Sequence, residues 1–247
     1  MILHILHTND MHNSLTMQKK AFLKDLRCHF APNILMLDAG DAVGAGNLGA
    51  RGSEPILQMM GDIGYDAMAM GNRESHPTRV AMTKKLKDSP FPVLAANLRP
   101  RREQKIPPTV TDYITFEDEF DDDIPPIAVF GLAPSITPPD TFWAKVTDYI
   151  YDDPIKTASG LAKKLKEQGY FVIALTHIGE DKDIELLNNV SEIDLIIGGH
   201  THKTICPPIK IENSHIVATE SHAKEVGHIE LDFEGDEVSL KSEVIPL

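Results

Sequence analysis

Seven residues with metal-binding side chains are spread along the 247-residue chain: Asp10 and His12 in TNDMH, Asp41 in LDAGD, Asn72 in MGNRE, His177 in THIG, and His200 and His202 in GGHTH. They offer two carboxylates, one amide oxygen and four imidazoles, with no thiolate. That mixture suits divalent transition ions such as manganese, zinc, iron, cobalt or nickel better than an oxygen-only calcium or magnesium cage. Seven donors exceed the three or four protein ligands of a single open catalytic metal. A pair of ions sharing one carboxylate fits the number. Each piece alone is weak, because an isolated Asp-x-His or His-x-His is more often a surface or core coincidence, and an asparagine after a glycine is commonly a turn residue.

The elements that must position these donors give them weight. Short apolar runs at 2–6, 34–37, 67–70, 93–95, 127–132, 171–175 and 195–197 read as strands, and all seven donors follow one of them. In open α/β sheets ligands bind beyond the carboxyl ends of the strands, so these separate segments are expected on one rim. Gly40, Gly71, Gly198 and Gly199 stand where the chain must turn away close to a ligand. Between the strands lie amphipathic stretches. One follows Asp152 and Asp153, with Pro154 in its first turn and Gly169 at its end; another begins at Ser53 and stops at Gly64; a third spans 77–88. The alternation predicts an α/β layered protein and one domain over residues 1–247. Residues 99–126, basic and then acidic, read as an excursion between two strands. From Ile205 onward, short alternating runs predict antiparallel β-structure.

Composition narrows the function classes. With 42% apolar and 25% charged residues the chain is expected to fold around a real core. It carries 37 acidic and 24 basic side chains, a net charge of −13, which argues against gripping nucleic acid through phosphates and leaves a nuclease disfavoured. An anionic substrate would then need local positive charge, which a metal supplies. No apolar run is long enough to cross a membrane. Met1 opens directly into a strand-like run without a leader pattern, and two cysteines do not make a disulfide framework, so a cytoplasmic protein is expected.

TNDMH, LDAGD, MGNRE, THIG and GGHTH, in this order, resemble the signature of the calcineurin-like metallophosphoesterases: D-x-H, G-D, G-N-H-[D/E], H and G-H-x-H. The flanking HILHTNDMHN, FPVLAANL and IDLIIGGHTHK are most similar to the 5′-nucleotidase and 2′,3′-cyclic-phosphodiesterase branch, over nearly the whole chain. The resemblance implies a two-sheet β-sandwich flanked by helices on both faces. It implies a first metal on Asp10, His12 and His202, a second on Asn72, His177 and His200, and Asp41 as the bridge. It also implies in-line attack on phosphorus by a metal-bridging hydroxide, with a nucleotide as the expected substrate.

Two departures qualify the substrate. Arg73 stands where the family has a histidine that stabilises the phosphoryl group and helps protonate the leaving oxygen; arginine can do the first and not the second. An aspartate three residues on is His76 here, which either inherits the acid role or caps the helix after Pro77. UDP-diacylglucosamine pyrophosphohydrolases are similar in placing arginine after the asparagine, so a pyrophosphate or cyclic diester is the alternative substrate. Nucleotidases of the branch continue into a base-binding domain beyond the equivalent of Leu247, so modest base selectivity is expected. A non-catalytic metal-binding scaffold is a competing reading, opposed by the presence of all seven ligand positions. His4, His7, His29, His215 and His228 have no motif role, and His222, in a loop ahead of Gly227, is a weaker candidate for the site.

Overall fold

The computed structural model describes residues 1–46, 48–49, 54–101, 103, 105–234 and 238–247. In chain order, the first half runs β1 (Ile2–Thr8), α1 (Met17–Phe30), β2 (Ile34–Asp38), α2 (Pro55–Ile63), β3 (Ala67–Ala69), α3 (Arg79–Leu86), β4 (Val93–Leu94), β5 (Leu98–Pro100), β6 (Val110–Thr111) and β7 (Tyr113–Phe116). The second half runs β8 (Ile127–Leu132), β9 (Tyr149–Tyr151), α4 (Pro154–Glu167), β10 (Phe171–Thr176), α5 (Glu180–Asn189), β11 (Leu195–Gly198), β12 (Ile205–Ile211), β13 (Ser214–Ala218), β14 (Glu225–Asp232) and β15 (Ser239–Pro246).

One large sheet has the order β15-β14-β1-β2-β3-β4-β6 and the other β12-β13-β11-β10-β8-β7, while β5 and β9 pair separately. Period-two alternation sorts the side chains of each strand into layers. Leu3, Ile5, Leu35, Leu37, Ile127, Val129, Ile173, Leu175, Leu195 and Ile197 form the core between the two sheets. Leu6, Met36 and Met68 face the other way and pack with Leu23 of α1, Ile56 and Met60 of α2, and Met82 of α3. Phe130, Val172 and Ile196 do the same against Ala158 and Leu165 of α4 and Leu186 of α5. The result is the helix–sheet–sheet–helix sandwich that the family resemblance implied.

Local chemistry explains the helix ends. Thr16 accepts from the Lys19 N–H to start α1, and Asp153 accepts from the Lys156 N–H to start α4 with Pro154 in its first turn. α2 begins at Pro55 and ends at Gly64, whose left-handed φ of 101° lets its N–H reach the Met60 and Gly61 carbonyls. The expected start at Ser53 lies outside the described residues.

Three expectations are corrected. The third helix begins at Arg79 rather than at Pro77, behind Thr78. The 99–126 excursion is structural: β6 extends one sheet beside β4, and β7 pairs antiparallel with β8 in the other. The C-terminal region is not uniformly antiparallel, because β13 runs parallel to β11. β12, at the start of the region expected to be antiparallel, does pair antiparallel with β13 despite Pro207 and Pro208. At the sheet edge a strand needs only one of its two hydrogen-bonding sides, so prolines are tolerated there.

Parallel pairing sets the rim. β1, β2 and β3 run parallel in one sheet, and β8, β10 and β11 in the other, so the loops leaving β1, β2, β3, β10 and β11 can meet. The sheets approach closely at Gly131 of β8, where a Cβ would lie 2.2 Å from the Leu94 carbonyl oxygen of β4. Gly131→Ala is therefore expected to destabilise the protein by about 1–3 kcal/mol through overpacking, read as a lower urea midpoint with an unchanged slope.

Candidate metal centre

Asp10 is completely buried at the end of β1, and its two carboxylate oxygens have different jobs. Oδ2 accepts from Asn9 Nδ2 at 2.9 Å and from the His200 N–H at 2.8 Å. Asn9 is held in turn by Thr219, whose N–H and hydroxyl both donate to Asn9 Oδ1. Oδ1 faces three imidazoles instead: His202 Nε2 at 3.1 Å, His12 Nε2 at 3.6 Å and His177 Nε2 at 3.7 Å.

Asp41 completes the arrangement. Its Oδ2 is 3.4 Å from His12 Nε2 and its Oδ1 is 3.6 Å from His177 Nε2, so each oxygen faces a different histidine. The Arg73 N–H donates to Oδ1 at 2.7 Å, and the Arg73 Nε lies 3.7 Å from Oδ2. Asn72 stands between Gly71 and Arg73 in this same turn. His200 brings its ring to 5.1 Å from that of His177. His222 is drawn in as well, its N–H donating to the Asp10 carbonyl and its ring 4.9 Å from that of His12.

His76 has other partners. Its Nδ1 accepts from the Thr78 N–H at 3.0 Å, just ahead of α3, and the Leu48 backbone also bonds to its ring. Glu74 is fully buried but spends its oxygens on the N–H groups of Asp41, Gly71 and Val43, so it holds the turn rather than facing the imidazoles. Asn9, Thr219 and the Ala39 carbonyl escaped the sequence reading. Only the position of Asn9 beside Asp10 hinted at its role.

The backbone is unusual here. Asp10, His12, Asp41, His200, His202 and His222 all have left-handed φ between 47° and 80°. For a residue with a Cβ this costs of order 1–3 kcal/mol each, and it persists only where the surroundings impose it. Here the loops after β1 and β2 zip together: the N–H groups of Asp10, His12 and Asn13 donate to the carbonyls of Gly40, Asp41 and Ala42. Gly71 is required for close approach, since a Cβ there would lie 2.2 Å from Asp41 Oδ1.

The donor set fits divalent cations. Asp10 Oδ1, His12 Nε2 and His177 Nε2 are buried without a hydrogen-bond partner, which proteins rarely tolerate unless an ion or water fills the role. His177 Nδ1 lies 2.7 Å from the Ala39 carbonyl, which only accepts, so Nδ1 carries the proton and Nε2 is the ligand atom on a neutral ring. Two groups, Asp10 with His12 and His202, and Asp10 with Asp41 and His177, each place all their ligand atoms within 4.8 Å.

Without cations these rings hold protons. Burial opposes charge on His12, but the Asp10 and Asp41 carboxylates outweigh it and raise its pKa to about 9. Burial opposes charge on His177 too, and Asp41 and Asp10 likewise raise it to about 9. Burial works against the Asp41 anion, yet His12, His177 and the Arg73 N–H hold it well below the usual carboxylate range. Metal ligation needs neutral imidazole, so binding at neutral pH must expel these protons. Calorimetry at pH 7 in buffers of different ionisation enthalpy is expected to show close to two protons released as the site fills. Affinity should strengthen as pH rises toward 9 and level off above it; an affinity independent of pH from 6 to 9 would contradict the charged pairs.

The comparisons with known proteins agree with this geometry. The calcineurin-like phosphoesterase family model matches residues 3–204. The trifunctional nucleotide phosphoesterase YfkN of Bacillus subtilis is 32% identical over 91% of this chain and 17% of its own length. The 5′-nucleotidase of Vibrio vulnificus is 27% identical over 99% of this chain and 51% of its own, so the chain spans about half of that relative. Among solved structures, the NAD nucleotidase of Haemophilus influenzae superimposes with a TM-score of 0.81 at 24% identity, covering 100% of this chain and 50% of the other. The Bacillus subtilis YfkN phosphoesterase structure gives 0.74 at 21%, covering 99% and 90%. With the ordered motifs now brought to one rim of a two-sheet sandwich, the chain belongs to the calcineurin-like phosphoesterase family, whose members work with divalent metal ions.

Proposed function

We propose that this chain hydrolyses phosphate esters or anhydrides of nucleotides at a two-cation centre. The observation that carries the reading is the pair of buried carboxylates, Asp10 and Asp41, each facing more than one imidazole Nε2. Asp10, His12 and His202 would hold one ion, and Asn72, His177 and His200 the other. Asp41 would serve both, because its two oxygens face histidines of different sets. The names of the relatives, two nucleotidases and a nucleotide phosphoesterase, support a nucleotide as substrate.

When bound, the cations supply Lewis acidity toward phosphoryl oxygens and lower the pKa of water toward neutrality. The protein's own groups do the rest. Asp41 is kept anionic by its neighbours, Asp10 is oriented by Asn9 and the His200 N–H, and Arg73 offers a permanent cation beside Asp41 for the phosphoryl group. The Arg73 side chain is 30% exposed, open enough to meet a substrate anion. Asp41→Ala is expected to reduce metal content at both positions and to lower turnover by at least about 10³-fold, given that metal ions supply several kcal/mol of transition-state charge stabilisation. Two retained metals with unchanged turnover would remove the bridge from the mechanism.

A second reading rests on Arg73 itself. Guanidinium stays protonated near neutral pH and donates no proton to a leaving group. An alkoxide needs one, whereas a departing phosphate, with its second pKa at about 6, leaves unaided. The site therefore favours anhydrides over alkyl monoesters. General-acid help is worth about 10²–10⁴ in rate, so Arg73→His should raise kcat for an alkyl monoester at least tenfold more than kcat for a pyrophosphate. The preference is wrong if the wild-type protein cleaves both classes equally fast. His76→Ala tests whether His76 supplies the proton: a selective loss on alkyl esters would assign it that role.

A further inference from the structure

A second cluster of metal-capable side chains lies at the other end of β1. His4 comes six residues before Asp10, about 20 Å away at 3.3 Å per strand residue. Its neighbours Leu3 and Ile5 enter the core between the sheets, and His4 faces α1 instead. The ladder sets Glu230 of β14 opposite His4 and His228 opposite Leu6, while β15 sets Glu243 opposite His228.

His228 is buried, and its ring is engaged on both sides. Its Nδ1 is 3.0 Å from Glu243 Oε1, and its Nε2 is 3.0 Å from His4 Nδ1. An ionised carboxylate only accepts, so Nδ1 carries the proton and Nε2 presents its lone pair toward His4. This carboxylate–histidine relay is what orients metal-ligating imidazoles. Phe30 stacks on the His228 ring at 4.0 Å and leans on His4 at 4.8 Å, holding both planes.

We propose that His4, His228 and Glu230 form a further site for a divalent transition cation of the zinc class, with Glu243 positioning His228. The ligand atoms of the three residues all lie within 4.8 Å of one another. Zinc–nitrogen bonds of about 2.0–2.1 Å at tetrahedral angles separate two nitrogens by roughly 3.4 Å, so the 3.0 Å gap needs only a small opening. Two nitrogens and one carboxylate suit zinc, cobalt or nickel and are too few oxygens for calcium. A cavity of about 280 Å³ lined by His228, Glu230, Lys241, Ser242 and Glu243 opens beside two of the three ligands. Lys241 Nζ is 3.9 Å from Glu230 Oε2, but its side chain is 80% exposed and can turn into solvent. A cation here would tie β1 to β14 at the flank of the sheet, independently of the catalytic rim.

The test is metal content rather than activity. Wild type, Glu230→Gln and His228→Gln are equilibrated with zinc, desalted and measured by mass spectrometry, then loaded with cobalt for visible absorption. The expected result is one equivalent less zinc in each variant than in wild type, with loss of one share of the tetrahedral cobalt bands and unchanged turnover. Equal metal content in wild type and Glu230→Gln overturns the site and leaves a hydrogen-bonded His4–His228–Glu243 chain. Glu230 is partly exposed, so that variant keeps the test decisive even where His228→Gln does not fold.

Discussion

Everything at the candidate metal centre depends on burying negative charge next to histidine without letting it be neutralised by ordinary hydrogen bonds. Asp10 shows how this is done. One of its oxygens is anchored to Asn9 and to the His200 backbone, and the other is left facing His12, His177 and His202. A buried anion with one unanswered oxygen is costly by itself. It is tolerable because imidazolium in the metal-free protein, and cations in the loaded one, answer the same charge.

That arrangement constrains the backbone around it. Reaching inward from successive strand ends requires tight, left-handed turns at residues other than glycine, and three cross-loop hydrogen bonds between the β1 and β2 loops hold them. Two further buried carboxylates serve the scaffold. Glu74 gathers the N–H groups of Asp41, Gly71 and Val43, while Glu54 at the start of α2 gathers those of Gly44 and Ala45. Carboxylates that accept from backbone N–H groups act here as struts. Together they brace the loop that carries Asp41.

Arg73 shows what one substitution in such a frame does. Its backbone N–H performs a structural task on Asp41 that any residue but proline could perform. Its side chain alone changes the chemistry, from a group that can release a proton to one that cannot. On the function proposed above, reaction class and leaving-group preference would be separable, the first set by the carboxylate and imidazole frame and the second by one side chain at its edge.

The sequence by itself determined the donor types, their order and their places behind strands. Strand-end placement is written in local patterns of apolar runs followed by Asp, His, Asn and Gly, and the parallel α/β layering follows from alternation of strands with amphipathic helices. It picked out Asp10 and Asp41 through their motifs, but not which oxygen of each faces which histidine. It did not say what Glu74 does: only the packed turn sends its carboxylate to backbone N–H groups. Nor did it separate His76, whose Nδ1 binds Thr78, from His222, whose ring lies against His12. Those contacts join residues far apart in sequence, as Asn9 and Thr219 are joined. The same holds for β12 at a sheet edge, for β13 parallel to β11, and for His4 against His228 across 224 residues. Periodicity records which face of an element is buried; it carries no information about what covers that face, and the covering residue decides whether a carboxylate or an imidazole works as ligand, strut or cap.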